Sequence, residues 1–400
     1  MTKTVFLLGA GASVDAGVPA STRMAEKIAA EINSAQAQYR GATHALNYAI
    51  GALLAHRSAR GGNVYDGVDV EQLFAAVQML GNRNAVEVAP FVSWSPALAS
   101  IGPERRSKPF FERDFQRALM STSAGNPIQK ALEELIDSKL EIDRSEETFQ
   151  LLEGEMLSSL RRLLQVDPAG VEYLEPLLPV QGDTAFVATL NYDLSVETVA
   201  RIHGIDVDTG IGAWRGDYEW SWRPDASLRL LKLHGSIDWT LVTSRGPAGL
   251  SLPEIVLDED KADRRDNSGV PGVVFGSRGK LRAEGPFLAM LRAFEDMLDD
   301  ADRVVVVGYS FRDDHINTAL SRWLNKSEAR PLTIVGPKFL EDNSDYQWPP
   351  TYPQQLLQSA NTFEHGHRVR KVDLNLVDLP AKTGLALAVS DPTYGRFPKG

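Results

Sequence analysis

Apolar residues along the chain occur either in short continuous runs or in stripes at helical spacing. The first run, Val5 to Leu8, is followed by a glycine-rich loop and then by a stripe of Met24, Ile28 and Ile32. A continuous apolar run is typical of a strand buried on both faces of a parallel sheet, and the stripe predicts an amphipathic helix. The chain therefore begins with a strand, a glycine loop and a helix.

Further apolar runs alternate with helical stripes in the second half of the chain. These runs lie at residues 185–190, 228–233, 273–275, 304–307 and 332–335. Alternation of buried strands with helices is typical of the α/β class. We predict a Rossmann-like parallel sheet flanked by helices.

Strand-like runs are scarce between residues 36 and 182, where amphipathic stripes predict helices instead. The stripes lie at residues 110–119, 128–140 and 149–164. We interpret 36–182 as a large helical insertion or lid in a sheet domain that is formed by residues 1–35 and 183–340. Residues 341–400 form a C-terminal extension. Its alternating run at 372–377 predicts a half-exposed strand that packs on the domain or on a neighbouring subunit.

Composition excludes several classes of function. Acidic residues outnumber basic ones, and the formal net charge of −11 disfavours binding that neutralises nucleic-acid phosphates. No direct nucleic-acid binding is therefore expected. The absence of cysteine excludes disulfides, thiolate catalysis and cysteine-ligated zinc. No metal site is expected, because His365 and His367, which flank a glycine in the polar tail, have no further residues at the spacing of metal ligands. No apolar stretch approaches the ~20 residues that cross a bilayer, and we expect a soluble cytoplasmic protein.

Four polar or glycine-rich clusters each follow a predicted strand. They are Gly9-Ala10-Gly11-Ala12-Ser13 with Gly17, Asn191-Tyr192-Asp193, His234-Gly235, and Gly308-Tyr309-Ser310. Ligands of open parallel sheets bind outside the carboxyl ends of the strands. The four clusters therefore mark the predicted site.

The first and third clusters suggest chemistry on their own. The glycine loop would let the backbone approach a pyrophosphate, and the following helix offers amide groups to its charge. The alternative is a tight connection between strand and helix. His234 can titrate near neutral pH and act as a general base, or it can simply cap its strand.

The second and fourth clusters have structural explanations as well. Asn191 and Asp193 are both common turn formers. Asp313 or Asp314, which follow the fourth cluster, would cap the next helix.

In this order, the glycine loop, the Asn191-x-Asp193 pair and the His234-Gly235 pair resemble the motifs of the Sir2 superfamily. The resemblance covers residues 1–35 and 183–340. Protein-deacylating members carry a four-cysteine zinc module, which this sequence cannot form. Residues 233–239 and 308–311 look like those of the zinc-free bacterial Sir2-like NADases of anti-phage defence.

The resemblance implies that NAD+ is the substrate and is hydrolysed to nicotinamide and ADP-ribose, which depletes NAD+ in an infected cell by abortive infection. It implies that Asn191 holds water or the ribose hydroxyls, that His234 is the base, and that Asp193 orients its neighbours. The glycine loop residues Gly9, Ala10, Gly11, Ser13 and Gly17 would cradle the pyrophosphate, and Gly308 and Ser310 would border the adenosine.

Members of this branch are often homo-oligomers or work with a partner such as a HerA-type ATPase or an Argonaute, and the same is expected here. Two other functions remain open. One is a non-catalytic sensor of NAD+ or ADP-ribose that regulates a partner. The other is an NAD-dependent protein deacylase, which the missing zinc module disfavours.

Overall fold

The structure, a computed structural model, divides the chain into two compact units. It describes residues 3–34, 40–83, 93–95, 97–98, 101, 145–180, 182–216, 219–245, 248–257, 270–273, 286–327, 330–345, 348–364, 367–369 and 371–398. One unit comprises residues 1–23 and 161–400 and is called the sheet unit below. The other comprises residues 24–160 and is called the helical unit.

Among the described residues of the sheet unit, eight strands lie in one sheet. The strands are β1 (Thr4–Leu8), β2 (Ala185–Thr189), β3 (Val207–Asp208), β4 (Leu228–Lys232), β8 (Arg303–Val307), β9 (Arg330–Val335), β12 (Val372–Val377) and β13 (Arg396–Phe397). Their spatial order is β13-β12-β9-β8-β1-β2-β4-β3. All neighbours are parallel except β12 and β13. The predicted fold class, a Rossmann-like parallel sheet flanked by helices, is confirmed.

The continuous apolar runs are explained by cores on both faces of the sheet. In β1, Val5 and Leu7 pack into one hydrophobic cluster, whereas Phe6 and Leu8 pack into another. Successive side chains of a strand point to opposite faces, so a strand with two buried faces needs apolar residues at every position.

Helices of the sheet unit follow most of its strands. They are α5 (Ser195–Ile202), α6 (Phe287–Asp299), α7 (Asp314–Leu324), α8 (Phe339–Asp342), α9 (Tyr352–Ala360) and α10 (Ala381–Ser390). A stripe at helical spacing, formed by Phe287, Leu291, Phe294 and Leu298, lies on α6. Three of these side chains are buried, and Leu291 packs against the same hydrophobic cluster.

The described part of this unit also contains two smaller antiparallel sheets. One has the order β6-β5-β7 and is formed by β5 (Gly235–Arg245), β6 (Ser251–Leu257) and β7 (Val270–Val273). The other is the hairpin of β10 (Thr362–Glu364) and β11 (His367–Val369). The sequence did not predict the three-stranded sheet, because β5 begins at Gly235, within the His234-Gly235 cluster that we placed after a predicted strand. Of the predicted run 273–275, residues 274 and 275 lie outside the described residues.

The C-terminal extension contributes two strands to the main sheet. Strand β12 lies between β9 and β13, and its faces pack against Leu356 of α9 and Leu385 of α10. The prediction of a strand at 372–377 is confirmed, but the expected half-exposed character is wrong. Asn375 is only 2% exposed, because both edges and both faces of the strand are covered.

The helical unit contains most of α1 (Ser21–Ser34), together with α2 (Arg40–Ala59), α3 (Val70–Gly81) and the greater part of α4 (Ser145–Leu163). The predicted helix at 149–164 is confirmed as α4. Leu151 lies in this range but is 70% exposed, so it does not belong to the buried face of α4. The predicted helices at 110–119 and 128–140 lie outside the described residues.

The division into units differs from the predicted insertion of residues 36–182. Helix α1 groups mainly with the helical unit, and residues 161–182 group with the sheet unit. Across the part of the chain that the structure describes, no helix is long and apolar enough to cross a membrane.

Candidate functional site

The four sequence clusters follow four adjacent strands of the main sheet. Strands β8, β1, β2 and β4 are neighbours in this order and are all parallel, so their carboxyl ends meet at one edge. The chain places β2, β4 and β3 on one side of β1, and β8, β9 and β12 on the other. The order therefore reverses between β1 and β8, which is the usual position of a ligand crevice in an open α/β sheet.

At this reversal, the loops that follow β1 and β8 touch through their backbones. A Cβ atom added to Gly9 would lie 2.5 Å from the Cα of Tyr309, and one added to Gly11 would lie 2.8 Å from the Cα of Gly308. Gly308 has a φ of 61° and faces the backbone of Ala12 just as closely. Close packing of the two loops therefore requires these glycines, independently of any ligand.

Most amides of the glycine loop already have acceptors. The amide nitrogens of Gly9, Gly11, Ala12, Ser13 and Gly17 donate to the carbonyl oxygens of Val307, Gly308, Gly9, Ala10 and Val14, respectively. In this conformation they are not available to phosphate oxygens. Ala10, Gly17 and Ser310 are exposed, and Gly17 adopts a left-handed turn with a φ of 89°.

Asn191 joins the ends of β1 and β2. Its Nδ2 donates to the carbonyl oxygen of Gly9 and to Oγ of Ser13, each at 2.9 Å. The carbonyl can only accept, so the orientation of the amide group is determined by its partner. Both amide hydrogens are used, and the group that Asn191 can offer to a substrate is Oδ1, an acceptor.

Asp193 shapes the start of α5. Its Oδ1 accepts a hydrogen bond from the backbone nitrogen of Ser195 at 3.0 Å, and the hydroxyl of Ser195 donates to the same oxygen. Oγ of Ser195 also lies 3.5 Å from Oγ of Ser13. Asp193, Ser195 and Ser13 are all buried. The Asp193 carboxylate therefore holds Ser195 at the start of α5.

A buried lysine, Lys232, binds the loop that follows β2. Nζ of Lys232 donates to the carbonyl oxygen of Asp193 and to Oε1 of Glu197, each at 2.7 Å, and the Lys232 side chain has no exposed surface. Burial raises the pKa of the Glu197 carboxyl, and the charge of Lys232 opposes this rise. Lys232 thereby links the end of β4 to the loop that follows β2.

Tyr173 contacts the glycine loop from the segment that precedes β2. Its hydroxyl donates to the carbonyl oxygen of Ala12 at 2.5 Å. Burial raises the pKa of Tyr173 well above its usual value, and the carboxylates of Asp15 and Asp193 add to the rise. Tyr173 therefore remains a proton donor throughout the physiological range.

His234 lies at the end of β4 and is buried. Its Nε2 is 3.0 Å from Oδ2 of Asp313, which is buried as well. The rings of His234 and Tyr192 are 6.3 Å apart, and the carbonyl oxygen of Tyr192 accepts from the backbone nitrogen of Ile237. His234 is thus held between the loops that follow β2 and β8.

Asp313 also caps helix α7, as the sequence predicts. Its Oδ1 accepts from the backbone nitrogen of His315 at 3.0 Å. Its own backbone nitrogen donates to the hydroxyl of Tyr309 at 3.1 Å, and that hydroxyl lies 3.1 Å from Oδ1 of Asn317. Burial raises the pKa of Tyr309 far above its usual value.

The structure therefore brings Asn191, Asp193 and Ser13 into one hydrogen-bonded group and places His234 on the neighbouring strand. The sequence missed the contributions of Lys232, Glu197 and Tyr173. Lys232 had a visible signal, since it is a charged residue within an apolar run directly before the His234 cluster. Within the ranges that the structure describes, no three His, Asp or Glu side chains are grouped to hold a metal ion.

Comparison with known proteins finds a family model that matches part of this chain. Residues 185–348 match the family model of the SIR2-like domain. A search of curated proteins finds no match. Among solved structures, a triple mutant of a Sir2 homologue in complex with 2'-O-acetyl ADP ribose aligns with 97% of this chain and 90% of its own, at 14% identity and a TM-score of 0.34.

Proposed function

We propose that this chain is an NAD+ glycohydrolase, which cleaves the bond between nicotinamide and ribose with water and releases nicotinamide, ADP-ribose and a proton. The observation that carries the proposal is the placement of Asn191 and His234 at the carboxyl ends of the neighbouring strands β2 and β4. The match of residues 185–348 to the SIR2-like domain supports NAD+ as the substrate.

The chemistry needs few groups. Cleavage develops positive charge on the ribose, as in glycoside hydrolysis, and nicotinamide leaves as a neutral molecule without a general acid. The attacking water must lose a proton, which a neutral His234 accepts. Oδ1 of Asn191 accepts a hydrogen bond from this water or from a ribose hydroxyl.

We assign the remaining loops to the rest of the dinucleotide. Gly9, Ala10, Gly11, Ser13 and Gly17 face the pyrophosphate, and Gly308 and Ser310 border the adenosine. This assignment rests on the resemblance and on the position of both loops where the strand order reverses. Because most loop amides donate to carbonyls, phosphate binding through them requires that the loop rearrange.

Assays of NAD+ consumption by the purified full-length chain test the proposal. The wild type is expected to convert NAD+ to nicotinamide and ADP-ribose, and His234→Ala to lose about 10²- to 10⁴-fold in rate. His203→Ala is the matched control, because His203 is exposed at the end of α5 and should retain wild-type activity. Binding of NAD+ without turnover would instead indicate the non-catalytic sensor.

We further propose that NAD+ depletion by this chain protects a bacterial population from phage by abortive infection, in the cytoplasm. Residues 233–239 and 308–311 resemble those of the zinc-free bacterial Sir2-like NADases of anti-phage defence, and this resemblance supports the role. It also supports a homo-oligomer and a partner such as a HerA-type ATPase or an Argonaute. Phage plaque counts on cells that carry the wild type, His234→Ala or His203→Ala test it. Only the His234 variant should lose protection.

A further inference from the structure

The carboxylate of Asp313, in the loop that follows β8, makes two different contacts. Oδ1 of Asp313 caps helix α7 through the backbone nitrogen of His315, and Oδ2 lies 3.0 Å from Nε2 of His234. The cap alone explains an aspartate at this position. It does not explain why the second oxygen contacts a histidine that is 79 residues away in the chain.

We propose that Asp313 is a positioning residue that fixes the tautomer and orientation of His234, so that Nδ1 is the atom that accepts the proton of the attacking water. This inference rests on the proposed hydrolysis of NAD+. A carboxylate can only accept hydrogen bonds, and a neutral imidazole carries one proton. Nε2 must therefore hold that proton, and the lone pair is at Nδ1.

The same contact stabilises the product of proton transfer. Once Nδ1 has taken a proton, the ring is a cation, and the carboxylate of Asp313 faces it at hydrogen-bond distance within a buried environment. Such charge-assisted hydrogen bonds are stronger than neutral ones. Asp313 touches no substrate in this account and acts only through His234.

Hydrogen bonds from neighbouring side chains to the backbone at Phe311 and Asp313 hold Asp313 in place. The hydroxyl of Tyr309 accepts from its amide nitrogen at 3.1 Å, and Nδ2 of Asn317 donates to the carbonyl oxygen of Phe311 at 2.8 Å. Phe311 has a φ of 57°, which is a costly conformation for a bulky residue and persists only where packing enforces it. A positioned carboxylate of this kind is what a preorganised acid-base pair requires.

Asp313→Asn separates the two contacts. Asparagine caps helices as well as aspartate does, and its Oδ1 must remain on the His315 side to accept the amide hydrogen. The group that then faces His234 is Nδ2, a donor, which requires a lone pair at Nε2 and moves the ring proton to Nδ1. The variant is expected to fold normally and to lose about 10²- to 10⁴-fold in the rate of NAD+ hydrolysis.

The decisive readout is the position of the ring proton, which does not depend on turnover. We would record ¹⁵N spectra of the full-length chain with labelled histidine over a pH series, and would assign the signals of His234 among the seven histidines by their loss in His234→Ala. The neutral wild-type ring should carry its proton at Nε2, and Asp313→Asn should carry it at Nδ1. Asp314→Asn removes an exposed carboxylate next to Asp313 and should change neither tautomer nor rate.

A proton at Nδ1 in the neutral wild-type ring, or wild-type activity in Asp313→Asn, would overturn the proposal. If Asp313→Asn does not fold, Asp313→Ser keeps a capping hydroxyl without reaching His234. The proposal then requires that the serine variant lose the fixed Nε2 proton, and a retained one contradicts it. Failure of the proposed function can be distinguished from failure of this proposal, because the tautomer of His234 can be measured even in a wild type that hydrolyses no NAD+.

Discussion

The side-chain Nδ2 of Asn191 lies 2.9 Å from Oγ of Ser13 and 2.9 Å from the carbonyl oxygen of Gly9. Two motifs that are about 180 residues apart in the chain therefore form one hydrogen-bonded unit. Asn191 has a structural task as well as the proposed catalytic one, and variants at this position must separate the two.

Asn191→Asp tests the structural task. Aspartate has nearly the same shape but cannot donate, so it places a carboxylate oxygen against the Gly9 carbonyl and leaves a buried acceptor without its donor. We expect a loss of about 1–3 kcal/mol in the free energy of unfolding, measured by urea denaturation. Asn325→Asp is the control at an exposed helix end and should cost under about 1 kcal/mol. Equal losses in both variants would refute the structural task.

Gly9→Ala tests whether the two glycine loops must touch. Gly9 has an extended backbone, with φ −110° and ψ −176°, so alanine adds no backbone strain there. Its Cβ would meet the backbone of Tyr309 at 2.5 Å, and overpacking of this kind typically costs about 1–3 kcal/mol of unfolding free energy.

The matched control for this substitution is Gly336→Ala, at the end of β9. A Cβ at Gly336 would meet nothing within 4 Å, so the unfolding free energy should stay within about 0.5 kcal/mol of the wild type. Thermal or urea unfolding of both variants provides the comparison. A Gly9 variant as stable as the Gly336 variant would show that the loops can separate without cost.

Lys232→Met tests the hydrogen bonds that Lys232 donates to the Asp193 carbonyl and to Glu197. Removing the ammonium leaves the Glu197 carboxylate and the Asp193 carbonyl without their donor, and breaking a buried pair typically costs about 3–5 kcal/mol. The double variant Lys232→Met with Glu197→Gln should recover part of this loss, because no buried charge is then left alone. Strict additivity of the two single substitutions in urea denaturation would contradict a coupled pair.

The raised pKa of Glu197 predicts a specific dependence on pH. A carboxyl group whose pKa is higher in the folded state contributes stability below its ordinary value of 4.5, and this contribution is lost as pH rises through the folded-state pKa. The wild type should therefore lose unfolding free energy relative to Glu197→Gln as pH rises above 4.5. The opposite slope in parallel urea titrations would mean that Lys232 outweighs burial and lowers the pKa.

Much of the sheet could be predicted from the sequence, because strands with two buried faces leave continuous apolar runs. The run 304–307 and the stripe on α6 both coincide with the elements found. The clusters at the strand ends were equally visible, since parallel order places them at one edge once the strands are known.

What the sequence could not predict are the partnerships between distant residues. Asp313 looks like a helix cap in any local pattern, and its contact with His234 exists only because β8 and β4 end at the same edge of the sheet. The left-handed backbone of Phe311 likewise has no local signal, because bulky residues avoid it and only tertiary packing enforces it. Strand β12 appeared half-exposed because the polar Asn375 interrupts its pattern, although its side chain is buried in the sheet.

The central claim, hydrolysis of NAD+ at the Asn191 and His234 site, is tested most directly by the balance of products. The purified full-length chain would be incubated with NAD+ in the presence and absence of an acetyl-lysine peptide, and nicotinamide and ADP-ribose would be quantified together. The account predicts equal amounts of both products, independent of the peptide and lost in His234→Ala. Nicotinamide release that requires the peptide and yields acetylated ADP-ribose, or release that persists in His234→Ala, would contradict it.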